Sequence, residues 1–443
     1  MPENSNRTIV TYREIAGALN KQESTKQTAN AVTAVENLSP AEQNDMLVAL
    51  QAALVKLEKE TDKANESGDP SVLISPDHKV ASLLQSYIAT KSKEEKPEEQ
   101  IPLAPGGKEA KFDDLDWIRW AGSFFTWWRG LKPHPLAQAQ AQPDSIRDEI
   151  RVGLLADWGT GLYGAPVSAM SIEDDKSGYE LLMHLGDVYY SGTDNEIQDE
   201  FLAYWPTIAG ATSRACNSNH EMYTGGHAYF NQTLPAFGQQ ASFYALQNSH
   251  WTLIGLDTAY HEWDLQSSDD EKQGGVDQVA WLNSIVAQAG DNKIILFSHH
   301  QLFSLFDDLS KSKLAGCVSD LLNKKRLFAW YWGHEHRCVL FDQHPNFGLY
   351  GRCIGHGGYP YFRDNLANAN AESQGANGTK WRRLPTKNLV PSGLVLEGPN
   401  PYVVGHEEKY GTQGYLTLEF SDAHLNEIVH TPDGTPIHVQ QLA

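Results

Sequence analysis

Five short motifs carry residues that could bind metal ions. In chain order they are Asp157-Trp158-Gly159, Gly186-Asp187-Val188-Tyr189-Tyr190, Asn219-His220-Glu221, Ser298-His299-His300 and Gly333-His334-Glu335-His336. Together they supply carboxylates, an amide, imidazoles and a phenol, which are the oxygen and nitrogen ligands that transition metals take in proteins. The set can hold two neighbouring metal ions and still leave histidines for other roles. Two metals side by side can clamp an in-line displacement at phosphorus.

Four of the motifs directly follow short apolar runs. The runs are Val152 to Ala156, Leu181 to Leu185, Lys293 to Phe297 and Leu327 to Trp332. Such runs are typical of buried strands. Open α/β sheets place their binding sites just beyond strand ends. We therefore expect these strand ends to bring the motifs together around one site.

Other patterns predict the surrounding elements. Val276 to Ala289 has helical spacing and is closed by Gly290. Ala241 to Leu246 and Trp251 to Leu256 predict a hairpin. Gly414 to Phe420 and Leu425 to His430 predict an antiparallel pair that closes a sheet edge.

As a set, the motifs resemble the calcineurin-like metallophosphoesterase superfamily, and within it most closely the purple acid phosphatase branch. The resemblance covers roughly the last two thirds of the chain. It implies an α/β fold of four layers, an αββα sandwich of two mixed sheets faced by helices, here preceded by an N-terminal helical appendage. It also implies hydrolysis of a phosphoester by a hydroxide that bridges two metal ions.

The resemblance implies a ligand for each position. Asp187 would bridge the metals, since one carboxylate offers two oxygens. The first metal would take Asp157, Asp187, Tyr190 and His336, and the second Asp187, Asn219, His299 and His334.

Tyr190 is the most informative assignment. Many relatives have a metal-binding histidine at the position of Gly159, and the purple branch replaces it with a tyrosine three residues after the second-motif Asp. A phenolate favours Fe(III) at the first site, while Zn, Mn or Fe(II) suits the second. The alternative for Tyr190 is ordinary loop packing.

The remaining histidines have less certain roles. His299 and His300 compete for one ligand position, and the resemblance favours His299, which leaves His300 for substrate or packing. By resemblance, His220 contacts the phosphoryl group and protonates the leaving group, and Glu221 orients an imidazole. His227 and His356 are weaker substrate-binding candidates. Arg363, Arg382 and Arg383 flank a possible lid over Asp364 to Thr379, although solvated surface charge is the default reading of these arginines.

Composition limits the function classes. The chain has 443 residues and a formal charge of −21, which argues against a nucleic-acid-coating protein. An anionic substrate is still compatible, because bound cations reverse the local field. There is no apolar run long enough for a membrane span, and the polar N-terminus does not resemble a signal peptide. Four widely spaced cysteines predict free thiols, so we expect a cytoplasmic protein.

Three zones differ in composition. Residues 1–113 predict a helical or partly disordered region, with helices after Ser39 and over Lys79 to Thr90, and these helices make a protein partner plausible. Residues 114–146 predict a Trp-rich amphipathic helix and a linker. Residues 147–443 predict the catalytic domain.

The sequence favours a phosphomonoesterase acting on a small phosphorylated substrate. A phosphodiesterase or nuclease of the same superfamily is the alternative within enzymes. A metal-binding regulatory protein without catalysis is the alternative outside them.

Overall fold

The structure is a computed structural model that describes residues 131–265, 276–363, 378–405 and 407–443. It also describes residues 78–80, 82–83, 85–86, 100–104, 107–110, 366 and 369–374. The chain forms two compact units. The first comprises Met1–Pro133, Tyr189–Ser191 and Tyr223–Gly225, and the second comprises the remainder.

The first unit has two described elements. Residues 79–80, 82–83 and 85–86 are helical, which confirms the predicted helix from Lys79 over its described part. Strands β1 (Gln100–Ala104) and β2 (Gly107–Ala110) pair antiparallel, a hairpin that the sequence did not predict. The predicted helix after Ser39 and the Trp-rich helix lie outside the described residues. The three domain boundaries stay predictions.

The second unit contains two sheets. Its strands are β3 (Asp144–Ser145), β4 (Ile150–Leu155), β5 (Leu181–His184), β6 (Thr212–Ala215), β7 (Tyr244–Gln247), β8 (Trp251–Gly255), β9 (Lys293–Ser298), β10 (Leu327–Trp332), β11 (Cys338–Phe341), β12 (Tyr350–Ile354), β13 (Asn370–Gln374), β14 (Lys380–Leu384), β15 (Gly393–Glu397), β16 (Tyr415–Ser421), β17 (His424–His430) and β18 (Pro436–Gln441). The ten-stranded sheet has the order β13-β14-β15-β11-β12-β10-β9-β8-β7-β3, and the six-stranded sheet β18-β17-β16-β4-β5-β6.

Helices cover the outer faces of the sheets. They are α1 (Gly164–Asp174), α2 (Asn219–Met222), α3 (Leu234–Ala236), α4 (Gln278–Gln288), α5 (Leu314–Cys317) and α6 (Ser319–Asn323), with π-helical turns at Glu196–Leu202 and Tyr229–Thr233. Residue Asp277 caps α4 by accepting from the Ala280 N–H, and Gly290 follows it at φ 54°. This confirms the helix predicted over Val276 to Ala289.

Three hydrophobic layers hold the sandwich together. The layer between the sheets joins Leu154 and Leu416 of the smaller sheet to Phe297 and Tyr331 of the larger. A second layer packs α4, α5 and α6 on the larger sheet. A third packs α1 and the Glu196–Leu202 turn on the smaller one. The predicted αββα sandwich is therefore confirmed. Its central strands read as continuous apolar runs because both of their faces are buried.

Strand directions decide where the motifs meet. Strands β4 and β5 are parallel, as are β8, β9 and β10. The motif loops therefore leave the carboxyl ends of neighbouring strands in each sheet.

The predicted pairings at the sheet margins are also found. Strands β7 and β8 form the predicted hairpin, and β16 and β17 form the predicted antiparallel pair. The sequence did not predict β18, which pairs with β17 and forms the actual edge. The described residues of the Asp364 to Thr379 insertion include β13, the outermost strand of the larger sheet.

Two further expectations concern cysteines and membranes. All four cysteines are free thiols, with Cys216, Cys338 and Cys353 buried and Cys317 partly buried. Among the described residues, no helix has the length and apolar character needed to cross a membrane.

Candidate metal centre

The site lies on the segments that follow β4, β5, β6, β9 and β10. Four of its side chains stand on backbone in the left-handed region, namely Asp157 (φ 56°), Asp187 (φ 73°), His334 (φ 70°) and His336 (φ 53°). This conformation costs a non-glycine residue about 1–3 kcal/mol and is concentrated at functional sites. The fold therefore holds these residues where local preference would not place them.

His299 is the hub of one cluster. Its Nε2 lies 2.8 Å from Asn219 Oδ1, 3.1 Å from His334 Nδ1 and 3.2 Å from Asp187 Oδ1. Its other nitrogen, Nδ1, donates to the Leu185 carbonyl at 2.9 Å. Because Nδ1 carries the ring proton, Nε2 presents a lone pair to its neighbours.

The groups around His299 Nε2 are mostly acceptors. Burial lowers the pKa of His299 to about 3, so the ring is neutral near pH 7. A lone pair then faces the Asn219 and Asp187 oxygens with no proton between them. Buried acceptors in mutual contact repel each other unless a cation lies among them. The donor set fits a metal ion that accepts nitrogen and oxygen ligands.

A second cluster adjoins the first through Asp187. Ligand atoms of Asp157, Asp187 and His336 lie within 4.8 Å of one another, and His336 Nε2 is 3.5 Å from Asp187 Oδ2. The two carboxylate oxygens of Asp187 therefore face different clusters. This is the arrangement that a bridging ligand requires.

Asp157 also positions the fifth motif. Its carboxylate accepts the N–H of His334 at 2.9 Å and that of His336 at 3.3 Å. A side chain at Gly333 would place its Cβ 2.6 Å from Asp157 Oδ1, so the motif needs glycine there. One carboxylate thus fixes the backbone that carries both histidines.

The buried acidic side chains carry opposing pKa shifts. Burial and the charge of Asp187 raise the pKa of Asp157 well above its usual value. For Asp187 itself burial acts upward, but the nearby His299 and His220 hold its pKa well below the usual value. Burial and Asp187 raise the pKa of Glu221 to about 8. A cation bound beside Asp157 would favour its charged form and so oppose the upward shift that burial causes.

Glu221 and His220, the two residues that follow Asn219, are both buried next to the clusters. The Asp187 N–H donates to Glu221 Oε2 at 3.2 Å, and the Ser218 hydroxyl hydrogen-bonds the same oxygen. Glu221 therefore supports the loop of Asp187. The His220 side chain is buried, and the backbone N–H of His220 donates to Ser218 Oγ at 3.2 Å.

A side chain at Gly159 would be crowded and would sit on strained backbone. Its φ is 73°, and a Cβ there would lie 3.1 Å from the backbone of Tyr359. The Tyr359 ring packs on His336 with centroids 4.5 Å apart. Tyr190, the predicted replacement ligand, belongs to the first unit and is buried.

The other predicted substrate residues differ in exposure. His300 is buried next to the cluster, with its ring centroid 4.7 Å from that of His334. His356 is buried as well, and its Nδ1 donates to the Ile354 carbonyl. His227 is exposed and packs edge-on to His134.

The three arginines near the insertion are ion-paired. Arg363 and Arg382 contact Glu397 and Arg383 contacts Asp342. These pairs link β14 and β15 with their neighbours.

Sequence reasoning missed two groups. Trp263, in the loop after β8, contacts the rings of His300 and His334. Asp148, His250 and Asp422 form another cluster whose ligand atoms lie within 4.8 Å of one another. Neither has a local motif, because Trp263 is isolated in sequence and the three cluster residues lie far apart along the chain.

Part of the chain matches a known protein family. Residues 150–338 match the family model described as calcineurin-like phosphoesterase. Over these residues the chain is similar to the calcineurin-like phosphoesterase family. The match spans all five motifs.

Solved structures similar to this chain include three of known name. The purple acid phosphatase from yellow lupin (Lupinus luteus) seeds is 14% identical with a TM-score of 0.45, over 70% of this chain and 55% of that one. GAP50, the anchor in the inner membrane complex of Plasmodium, is 14% identical with a TM-score of 0.45, over 66% and 88%. PhoD is 11% identical with a TM-score of 0.38, over 70% of each chain. A search of curated proteins gave no match.

Proposed function

We propose that this protein is a phosphoester hydrolase that depends on two metal ions and favours monoesters. One observation carries the proposal: His299 Nε2, on a ring that burial keeps neutral, lies 2.8–3.2 Å from Asn219 Oδ1, His334 Nδ1 and Asp187 Oδ1. A cation satisfies this cluster, and Asp187 leads from it to the adjoining one. The family match supports the reaction class.

In this proposal each cluster holds one metal ion. Asp157, Asp187, Tyr190 and His336 hold the first, and Asp187, Asn219, His299 and His334 hold the second. Two cations bound there would provide a water nucleophile at neutral pH and neutralise charge on the phosphoryl oxygens.

The protein's own residues bind, orient and transfer protons. Asp157 holds the two fifth-motif histidines through their backbone, and Glu221 holds the loop of Asp187. His220 contacts the phosphoryl group and delivers a proton to the leaving oxygen. No protein nucleophile is required, so serine and cysteine substitutions outside the site should spare activity.

The proposal also concerns which metal occupies each site. A Tyr190 phenolate would favour Fe(III) in the first site, with Zn, Mn or Fe(II) in the second. Metal analysis and a visible spectrum test this. A tyrosinate-to-iron charge-transfer band supports Tyr190, and its absence in an iron-loaded sample removes Tyr190 from the ligand set.

A paired assay tests the reaction. Protein loaded with Mn²⁺ or Fe is compared on p-nitrophenyl phosphate and bis(p-nitrophenyl) phosphate, with chelated protein as the control. Faster turnover of the monoester supports the proposal. Preference for the diester identifies a phosphodiesterase or nuclease. No metal-dependent turnover of either ester identifies a non-catalytic metal-binding protein.

A further inference from the structure

The loop after β8 places a tryptophan against the proposed second metal cluster. The ring centroid of Trp263 lies 4.4 Å from that of His300 and 5.0 Å from that of His334. His334 Nδ1 is one of the atoms that converge on His299 Nε2. Trp263 therefore contacts a proposed ligand of the second metal ion, His334, directly.

Trp263 differs from the other tryptophans in its exposure. It is partly exposed, whereas the others among the described residues are buried, namely Trp158, Trp205, Trp251, Trp281, Trp330, Trp332 and Trp381. Burying a large aromatic ring stabilises a protein. A tryptophan left partly open beside a metal cluster thus retains apolar surface that a ligand can cover.

The backbone of Trp263 is held in a fixed conformation. Its φ of 65° lies in the left-handed region. Its N–H donates to the Thr258 carbonyl at 2.9 Å, and its carbonyl accepts the Lys313 N–H at 2.9 Å. The next residue, Asp264, pairs with the Lys313 ammonium at 2.6 Å. Three contacts thus hold the backbone that carries the ring, and the ring itself packs on His300 and His334. An ordered platform lowers the entropic cost of binding.

We propose that Trp263 is a stacking platform for the leaving group, so that the enzyme favours phosphoesters whose leaving group carries a planar aromatic ring. This inference rests on the proposed function. Every aromatic ring offers a face that stacks on tryptophan, and alkyl groups do not. A leaving group attached to a phosphoryl group at the cluster extends away from the metals, and Trp263 lies beside them. Aryl esters and nucleotides share this chemistry.

Binding of non-hydrolysable analogues tests the platform directly. Titration calorimetry on metal-loaded protein compares phenylphosphonate with methylphosphonate, which share the anion and differ in the ring. The wild type should bind phenylphosphonate more tightly. W263A should lose about 5- to 100-fold in affinity for phenylphosphonate, with little change for methylphosphonate. W263F should keep most of the preference, because it retains an aromatic face.

Turnover then distinguishes the two kinds of aromatic substrate. The kcat/KM ratios of phenyl phosphate to ethyl phosphate and of AMP to ribose 5-phosphate are measured in each variant. A fall of the first ratio alone in W263A assigns short aryl esters, and a fall of the second assigns nucleotides. The matched control is F328A, which removes a partly buried ring at the start of β10, and both ratios should stay as in the wild type.

The outcomes separate this inference from the proposed function. If the protein hydrolyses phosphoesters but W263A keeps the wild-type ratios, or both phosphonates bind the wild type equally, Trp263 is not the platform. If no phosphonate binds and no ester is hydrolysed by metal-loaded protein, the proposed function is wrong and the inference falls with it.

Discussion

The sandwich carries a cluster of Asp and His side chains at each end of its central strands, and the two clusters differ in burial. Asp157 and His299 follow the carboxyl ends of β4 and β9, whereas Asp148 and His250 precede the starts of β4 and β8, with Asp422 beside them in the β16–β17 turn. Both clusters bring ligand atoms within 4.8 Å of one another.

The two clusters differ in how far water can reach their side chains. The His299 and Asp187 side chains are 0% and 1% exposed, whereas His250 and Asp422 are 38% and 71% exposed. Water satisfies the polar atoms of the exposed cluster at little cost. The His299 and Asp187 side chains have no such solvent, so their facing acceptor atoms need a proton or a cation. Proximity of ligand atoms alone therefore does not indicate a metal site, but proximity with burial does.

The largest expected effect is the loss of the bridging carboxylate. D187A should lose bound metal and turnover, by at least about 10³-fold in kcat, because two cations contribute several kcal/mol of charge stabilisation. D422A, at the exposed end, should keep both. Elemental analysis and p-nitrophenyl phosphate turnover measure the difference. Near-normal activity of D187A in metal-verified samples would show that the assignment is wrong.

A second substitution separates proton transfer from metal binding within the buried end. H220A should lower kcat by about 10²- to 10⁴-fold and leave the metal content unchanged, because His220 is proposed as a proton donor. The loss should be smaller for p-nitrophenyl phosphate than for an alkyl phosphate, since nitrophenolate leaves without a proton. Equal losses for both esters, or a loss of metal, would contradict the role.

A third substitution tests whether the buried end has space for another ligand. G159H should lower the free energy of unfolding by roughly 1–3 kcal/mol from backbone strain, and further from the contact with Tyr359. G178H is the control, because Gly178 has φ 69° and open space around its Cβ. Urea denaturation of both variants isolates the contact. Equal destabilisation would mean that the Tyr359 loop moves aside.

The smallest expected effect is on how the free energy of unfolding depends on pH, through the buried His356. Burial lowers the pKa of His356 to about 4 from 6.5, so the unfolded chain takes up a proton that the folded chain does not. Stability from this group is complete above about pH 6.5 and falls as the pH drops toward 4. The slope for one proton is about 1.4 kcal/mol per pH unit. H356N should reduce the slope in urea titrations across this window. An unchanged slope would show that His356 is protonated in the folded protein.

Much of the fold followed from local patterns. Continuous apolar runs located β4, β5, β9 and β10, because strands buried on both faces leave no polar alternation. Short elements were missed where no such pattern exists. No residue of strand β18 (Pro436–Gln441) is fully buried and its apolar residues form no continuous run, so only its pairing with β17 defines it.

The candidate site was also predictable in part from local sequence and in part not. The motifs supplied the ligand types, because each lies on one short loop. Sequence alone left His299 and His300 in competition. In the structure His299 Nε2 faces Asn219 and Asp187, and His300 packs against Trp263 and His334. A ligand atom of His300 also lies within 4.8 Å of those of His299 and His334. Ring direction depends on the hydrogen bond to the Leu185 carbonyl, which lies more than a hundred residues away in sequence.

The amino-acid sequence by itself determined the chemistry available to this protein, since residue types, their motif spacing and the strands before them are local properties. Only the tertiary structure decided which of two similar Asp and His clusters is buried, how Asp187 faces two clusters at once, and that Trp263 stands beside them. Those features depend on distant segments packed against each other, and burial sets the electrostatic need for a cation.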